Sequence, residues 1–287
     1  MKKFAKILVV TIMLATIVGA CFAFTACNKN VAEAVKVIDI ELTEEDYAFC
    51  LNKNDTELLA KANEFLAGIK ADGTLDNIIN SYFNGTATFT YTNPANKNGC
   101  LIVATNAYFP PFEYYSGDKF TGVDMQIAKL LADYLEKPLY IVDTDFDAVM
   151  IEVQNGTADI GMAGITVNEE RQKTLNFTDS YYTSAQVIIV KEGDTTFDNC
   201  TTVEGIEAIL KQQNKSYVIG TQSGTTGYMY SYGDEDFEYD GFTNLTTTGY
   251  TTGALAVKDL SNGKINAVII DKQPALMIAN STNSLIK

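Results

Sequence analysis

Arg171 is the one arginine among the 21 basic residues of this 287-residue chain; every other is a lysine. A guanidinium offers a planar, two-donor fork that fits a carboxylate, which an ammonium cannot reproduce. Arg171 therefore marks a candidate carboxylate-binding position, the alternative being a surface side chain in the first turn of a helix. Asp271 poses the complementary question. It ends the apolar run Ala267 to Ile270, where a carboxylate needs either a cation to pair with or a helix to cap. Histidine and tryptophan are absent, which excludes His-based triads, His-ligated zinc and imidazole acid–base catalysis. An enzyme would have to work with carboxylates, lysine or tyrosine, and Glu113 and Asp124 are the candidate proton donors. Cys50, Cys100 and Cys200 lack metal or redox spacing and read as buried or idle thiols. The sequence calls for no cofactor and no metal.

The elements that must position Arg171 and Asp271 alternate in type. From residue 100 onward, short apolar strands alternate with amphipathic helices, which predicts an α/β architecture with mostly parallel sheets. The expected order is strand Leu101 to Thr105, a helix carrying Ile127, Leu130, Leu131, Tyr134 and Leu135, strand Leu139 to Val142, helix Ala148 to Gln154 and strand Ala158 to Ala163. Strand Val187 to Val190 then leads into a second series: helix 203–212, strand Tyr217 to Thr221, helix 251–260, strand Ile265 to Asp271 and helix 275–279. Two such series imply two lobes with a cleft between them, and the residues just after the strands are where a ligand would sit. Segment 36–83 reads as strand Val37 to Glu41, strand Tyr47 to Leu51, a helix opened by Asn54 and Glu57, and a further element from Thr74 to Phe83. Residues 84–99 are rich in Asn, Thr and Gly and form a linker.

The amino terminus is of a different kind. Lys2, Lys3 and Lys6 precede an apolar run from Ile7 to Ala20, a signal-peptide pattern assigned to residues 1–26; a retained membrane anchor is the alternative. Cys27, followed by Asn28, Lys29 and Asn30, resembles a lipoprotein attachment site opening a tether over 27–35, with Cys21 as the competing position. Loss of the three lysines takes the formal charge from −15 to −18. Nucleic acid and anionic membrane surfaces are then poor partners, and any membrane contact would be through lipid alone.

Taken in order, TNAYFPPFEYY, GVDMQIAKLLADYLEK, DFDAVMIEVQNGTADIGMAGITVNEERQ, LNFTDSYY, VIGTQSGTTG and INAVIIDKQPAL resemble the polar amino-acid family of bacterial solute-binding proteins. The resemblance implies a two-lobed, type II periplasmic-binding-protein-like fold. In that family the first strand, here Leu101 to Thr105, comes soon after the lipidated cysteine, whereas here segment 28–99 intervenes. YAFCLNKNDTELLAKANEFLAGIKADGTLDNIINSYF resembles the strand and paired helices that normally end such proteins. The chain therefore reads as circularly permuted, with 36–83 the displaced carboxy-terminal piece, 36–190 the first lobe and 191–287 the second. An independent amino-terminal domain, or a fragment of a tandem copy, is the alternative. On the permuted reading one interlobe crossing is cut, only the segment near Val190 connects the lobes, and the open state is loosened.

The resemblance also implies roles. Arg171 would take the α-carboxylate of a free amino acid, helped by Thr166, by the helix opening near Asn168 and, from the second lobe, by Thr226. Asp271 would pair with the α-ammonium. Ala163 and Gly164 would let backbone approach the ligand, or would serve close packing. Phe109 and Phe146 would flank the ligand side chain or belong to the core. Asn106 stands where binders of basic amino acids often carry Asp, which puts a cationic side chain in question, although Asp124 is near in the pattern; Gln222 is a further polar candidate. The implied function is the extracellular solute-binding component of an ABC importer: a monomer partnered by permease subunits and held by lipid at the outer face of the cytoplasmic membrane. A dehydratase-like enzyme on the same scaffold and a ligand-sensing domain are the competing readings.

Overall fold

The computed structural model describes residues 32–286, and the expected signal peptide and Cys27 lie outside them. In chain order the elements are β1 (Val35–Ile38), β2 (Glu45–Tyr47), β3 (Cys50–Asn52), α1 (Thr56–Ala71), α2 (Thr74–Phe83), β4 (Leu101–Thr105), β5 (Tyr108–Phe109), β6 (Glu113–Ser116), β7 (Lys119–Thr121), α3 (Val123–Tyr134), β8 (Leu139–Asp143), α4 (Phe146–Gln154), β9 (Ile160–Gly161), α5 (Glu169–Thr174), β10 (Leu175–Phe177), β11 (Tyr182–Ser184) and β12 (Gln186–Lys191). There follow α6 (Val203–Lys211), β13 (Val218–Gln222), α7 (Thr226–Tyr232), β14 (Thr246–Tyr250), α8 (Gly253–Ser261), β15 (Ala267–Asp271) and α9 (Lys272–Ile286).

Two five-stranded sheets organise these elements. The first runs β10-β3-β9-β4-β8 and the second β1-β12-β15-β13-β14. In each, the α/β portion is parallel, as with β4 and β8 or β13 and β14, and the strands contributed from elsewhere are antiparallel. The apolar runs form strands because both faces are covered. In β12, Val187 and Ile189 enter one core while Ile188 and Val190 enter another; in β15, Val268 and Ile270 divide in the same way from Ala267 and Ile269. Helix α1 lays Ala62, Phe65, Leu66 and Ile69 into the core of the first lobe at helical spacing. Its cap is Asp55 rather than the expected Asn54, with Oδ1 accepting the Leu58 N–H at 3.0 Å.

The lobe boundaries differ from those read in the sequence. Strand β1 pairs with β12 from Val35↔Lys191 to Ile38↔Ile188, so both belong to the second sheet and the division does not fall at 190/191. Val35, expected in a tether, is already in the sheet and is clamped by Asn283 of α9: its N–H donates to Oδ1 at 2.9 Å and its carbonyl accepts from Nδ2 at 2.8 Å. The chain crosses between sheets twice, outward from β1 through β2 to β3 and back from β10 through β11 to β12. The crossing strands β2 and β11 pair antiparallel, Glu45↔Ser184 to Tyr47↔Tyr182. A single covalent connection near Val190, with the loosened open state it implied, is therefore corrected to a paired, two-stranded one.

Three other readings are refined by packing. The expected strand 47–51 breaks at 48–49, because Ala48 N–H turns to Ile165 O and Phe49 N–H to Thr178 Oγ1 as the chain changes partners from β11 to β10. Helix 275–279 extends over 272–286. Linker 84–99 contains none of the named elements but is tied down: Tyr91 exchanges two backbone hydrogen bonds with Phe120. Asn93 donates to Ile141 O at 2.7 Å and accepts from Ile141 N–H at 2.8 Å, covering the free edge of β8. Among the described residues, no helix is long and apolar enough to cross a membrane.

Candidate functional site

Asn106, Gly164, Gln222 and Asp271 all stand at or just beyond the carboxyl ends of strands, and those strands come from both sheets. The structure brings them to one cavity between the lobes. All nine residues singled out for a ligand line it, together with Gln222 and Thr225.

Arg171 lies in α5, a short helix capped by Asn168, whose Oδ1 accepts the Arg171 N–H at 2.8 Å. Its side chain is 6% exposed. Nη1 donates to Thr166 O at 2.7 Å within the first lobe, and Nη2 donates to Gly224 O at 3.0 Å across the cleft. The guanidinium also lies over the Phe146 ring at 5.6 Å. Burial lowers its pKa, while the charges of Glu45, Asp147 and Asp271 act in the opposite sense. Gly224 has φ 72°, and a Cβ there would lie 1.6 Å from Asp147 Oδ1. The left-handed φ favours glycine here, and a Cβ would push the Asp147 carboxylate aside.

Asp271 enters from the second sheet and is 4% exposed. Its Oδ1 accepts a short hydrogen bond from the Tyr47 hydroxyl. Burial first, and then the charge of Glu45, push its pKa up to about 7, against the hydrogen bonds of Tyr47 and Gln186. Tyr47 is itself raised well above its ordinary value by burial and by the Asp271 and Glu45 charges, so it remains a donor.

Glu45 was not anticipated as part of the site. It is 4% exposed and accepts from three donors: Thr43 Oγ1 at 2.7 Å, Thr166 Oγ1 at 2.6 Å and Gln186 Nε2 at 2.8 Å. Thr226, at the start of α7, donates its hydroxyl to Thr166 Oγ1 at 3.2 Å. A relay thus runs from the second lobe through Thr166 to a carboxylate on the crossing strand β2. The structure places Glu45 and Tyr47 on one buried face of β2 by their i, i+2 spacing, but a Glu at such a position reads in sequence as a surface residue. Thr225, also missed as a lining residue, is the neighbour of Thr226 and bonds Gln222 O at 2.8 Å.

The remaining lining is neutral. Gln222 Nε2 donates to Asn106 Oδ1 at 3.0 Å, and Asn106 Nδ2 donates to Thr144 O at 2.8 Å. Gly164 (φ 55°) is small for packing, since a Cβ would lie 2.9 Å from Phe109 and 3.2 Å from Tyr47. Its N–H donates to Asp124 Oδ2 at 3.0 Å, while Tyr181 donates to Asp124 Oδ1 at 2.6 Å. Asp124 is thus a buried support beneath the cavity floor, pushed up to about 7 by burial against those two bonds. Glu113, fully buried with neither oxygen partnered, is raised well above its ordinary value by burial and by neighbouring Asp124, Asp271 and Asp143. Neither of these candidate acids lines the cavity.

Residues 101–268 match the bacterial extracellular solute-binding proteins, family 3. The arginine-binding extracellular protein ArtP of Bacillus subtilis is 30% identical over 125 residues, 44% of each chain. The probable histidine-binding protein of Neisseria gonorrhoeae is 27% identical over 187 residues, 65% of this chain and 63% of that one. This chain thus spans less than two thirds of the length of either relative. Among solved structures, the ancestral amino acid-binding protein AncCDT-1, described as a precursor of cyclohexadienyl dehydratase, superposes with a TM-score of 0.54 at 27% identity, covering 72% of this chain and 78% of that one. A truncated, arginine-bound ArgBP from T. maritima gives 0.53 at 28% identity, covering 64% and 79%.

Proposed function

The chain belongs to the bacterial extracellular solute-binding proteins, family 3, and from that premise we propose that it captures a free polar amino acid between its lobes for delivery to an ABC importer. The observation that carries this reading is one buried cation and one buried anion, Arg171 and Asp271, lining the same cavity from different lobes. A zwitterion buried without such partners would lose several kcal/mol. Arg171 takes the α-carboxylate with its remaining guanidinium N–H groups. The Thr166 hydroxyl, donated to Glu45, and the Thr226 hydroxyl, donated to Thr166, line the same cavity and would join only by turning from those partners. Asp271 takes the α-ammonium through Oδ2, Tyr47 already holding Oδ1. Ala163 and Gly164 supply backbone at the cavity floor, and Phe109 and Phe146 flank the side chain. Relatives named for binding arginine, histidine and L-cystine support an amino acid as the solute.

Three hydrogen bonds cross the cleft directly, Arg171 to Gly224, Thr226 to Thr166 and Gln222 to Asn106. A ligand touching both lobes therefore favours the closed arrangement by its differential affinity for it. The partners in this reading are permease subunits, with the protein a monomer held outside the cell by lipid on Cys27 once residues 1–26 are removed. The lysine-flanked apolar run and the acidic net charge support that placement. The fold is read as a circular permutation, supported by the Asn283 clamp that sets β1 beside the end of α9.

Thermal melting against each of the twenty amino acids tests the function, since a ligand of the folded state stabilises by about 2.7 kcal/mol at a hundred times its Kd. The expected result is a clear rise in Tm with one or a few polar amino acids. No rise with any of the twenty would sink the reading.

A further inference from the structure

Two kinds of polar pair line the cavity, one charged and one neutral. Arg171 and Asp271 are opposite in charge, and Glu45 is not part of the lining: it is held behind Thr166 by three donors. Besides these groups and the hydroxyls of Thr166, Thr225 and Thr226, the polar lining is an amide pair. Gln222, 2% exposed at the end of β13, donates one Nε2 hydrogen to Asn106, and Asn106 donates one Nδ2 hydrogen to Thr144 O. Each amide keeps a second N–H, and Gln222 Oε1 is buried and accepts nothing. The amide pair therefore offers donors and an unpartnered acceptor, without formal charge.

We propose, building on the amino-acid reading above, that the ligand's side chain is uncharged and both donates and accepts hydrogen bonds, with the carboxamide of glutamine or asparagine the class that fits. A carboxamide N–H meets Gln222 Oε1 and its C=O meets a spare amide hydrogen, so each buried group is satisfied. An ammonium or guanidinium side chain would lie opposite neutral dipoles and spare N–H groups. The carboxylate beside Asn106, Asp143, is held by the Ala107 N–H at 2.9 Å and the Tyr115 hydroxyl at 3.1 Å and is not part of the lining, so the cation would be buried without a direct counter-ion. The Phe146 face cannot compensate in full, because Arg171 already lies over it. A carboxylate side chain would oppose the Gln222 lone pairs. Sites built to hydrogen-bond a polar group discriminate strongly against analogues that leave their own buried groups unpaired.

Calorimetric titration of the protein with L-glutamine, L-asparagine, L-arginine, L-lysine, L-glutamate and L-leucine tests this. Glutamine or asparagine is expected to bind at least tenfold more tightly than the other four. In Gln222→Glu, and independently in Asn106→Asp, the preference is expected to shift at least tenfold towards arginine or lysine, and either variant suffices if the other does not fold. Tightest binding of any of the other four by the unmodified protein, or an unchanged order in the folded variants, would overturn the carboxamide assignment while leaving an amino-acid site standing. Binding of none of the six would overturn the carboxamide assignment, and a melt unchanged by all twenty amino acids would overturn the amino-acid reading with it.

Discussion

Arg171 touches both lobes, its two terminal nitrogens donating to the carbonyls of Thr166 and Gly224. Removing it leaves the zwitterion's carboxylate unpaired, so Arg171→Ala is expected to weaken amino-acid binding by roughly 2–5 kcal/mol, about 30-fold to several thousand-fold. Calorimetry showing an unchanged Kd would take Arg171 out of the site. Asp271 gives a pH signature. With its pKa at about 7, an arriving ammonium favours the carboxylate form and expels a proton from the molecules that hold one. Affinity is therefore retained above about pH 7 and falls by up to roughly tenfold per unit as pH drops below it. Titrations between pH 5 and 8, with proton release read in buffers of different ionisation enthalpy, check the sign. A Kd flat across that range would separate Asp271 from the ammonium.

The elements show where sequence reading succeeds and where it stops. β12 and β15 were legible because strands covered on both faces read as apolar runs, and α1 because its buried residues keep helical spacing. β2 was not legible as a site element: its inward Glu45 violates the usual inside–outside pattern, and the donors that satisfy it, Thr43, Thr166 and Gln186, come from three separate stretches of chain. Arg171 and Asp271 could be found from type and position alone, yet the Tyr47 bond to Asp271 depends on a crossing strand that no local pattern aligns. The carboxy-terminal half of α9 is rich in Asn, Ser and Thr, weak helix formers, and is held by its contact with β1. Segment 84–99 makes the same point. Asn93 substitutes for a neighbouring strand along β8, so Asn93→Ala is expected to lower unfolding free energy by about 1–3 kcal/mol in urea titrations. Amino-acid affinity should be unchanged, since Asn93 is not part of the cavity. A drop in affinity matching the loss of stability would show that this edge is linked to the cleft.

At the scale of the molecule, the two crossings and the Asn283–Val35 clamp bear on the permuted reading. If 84–99 is the join between former ends, linking residue 286 to residue 33 through a short Gly/Ser spacer and opening the chain within 94–98 should yield a protein that folds and binds the same amino acid within a few-fold of the original Kd. Loss of folding, with the parent intact under the same conditions, would favour an independent amino-terminal segment. Because the clamp seats both ends of the described chain on the second lobe, a pair of fluorophores placed at those ends would report almost nothing of closure. A dye at either end combined with one on the 94–98 loop, fixed to the first lobe through Asn93 and Tyr91, would straddle the cleft and turn each capture event into a change in energy transfer.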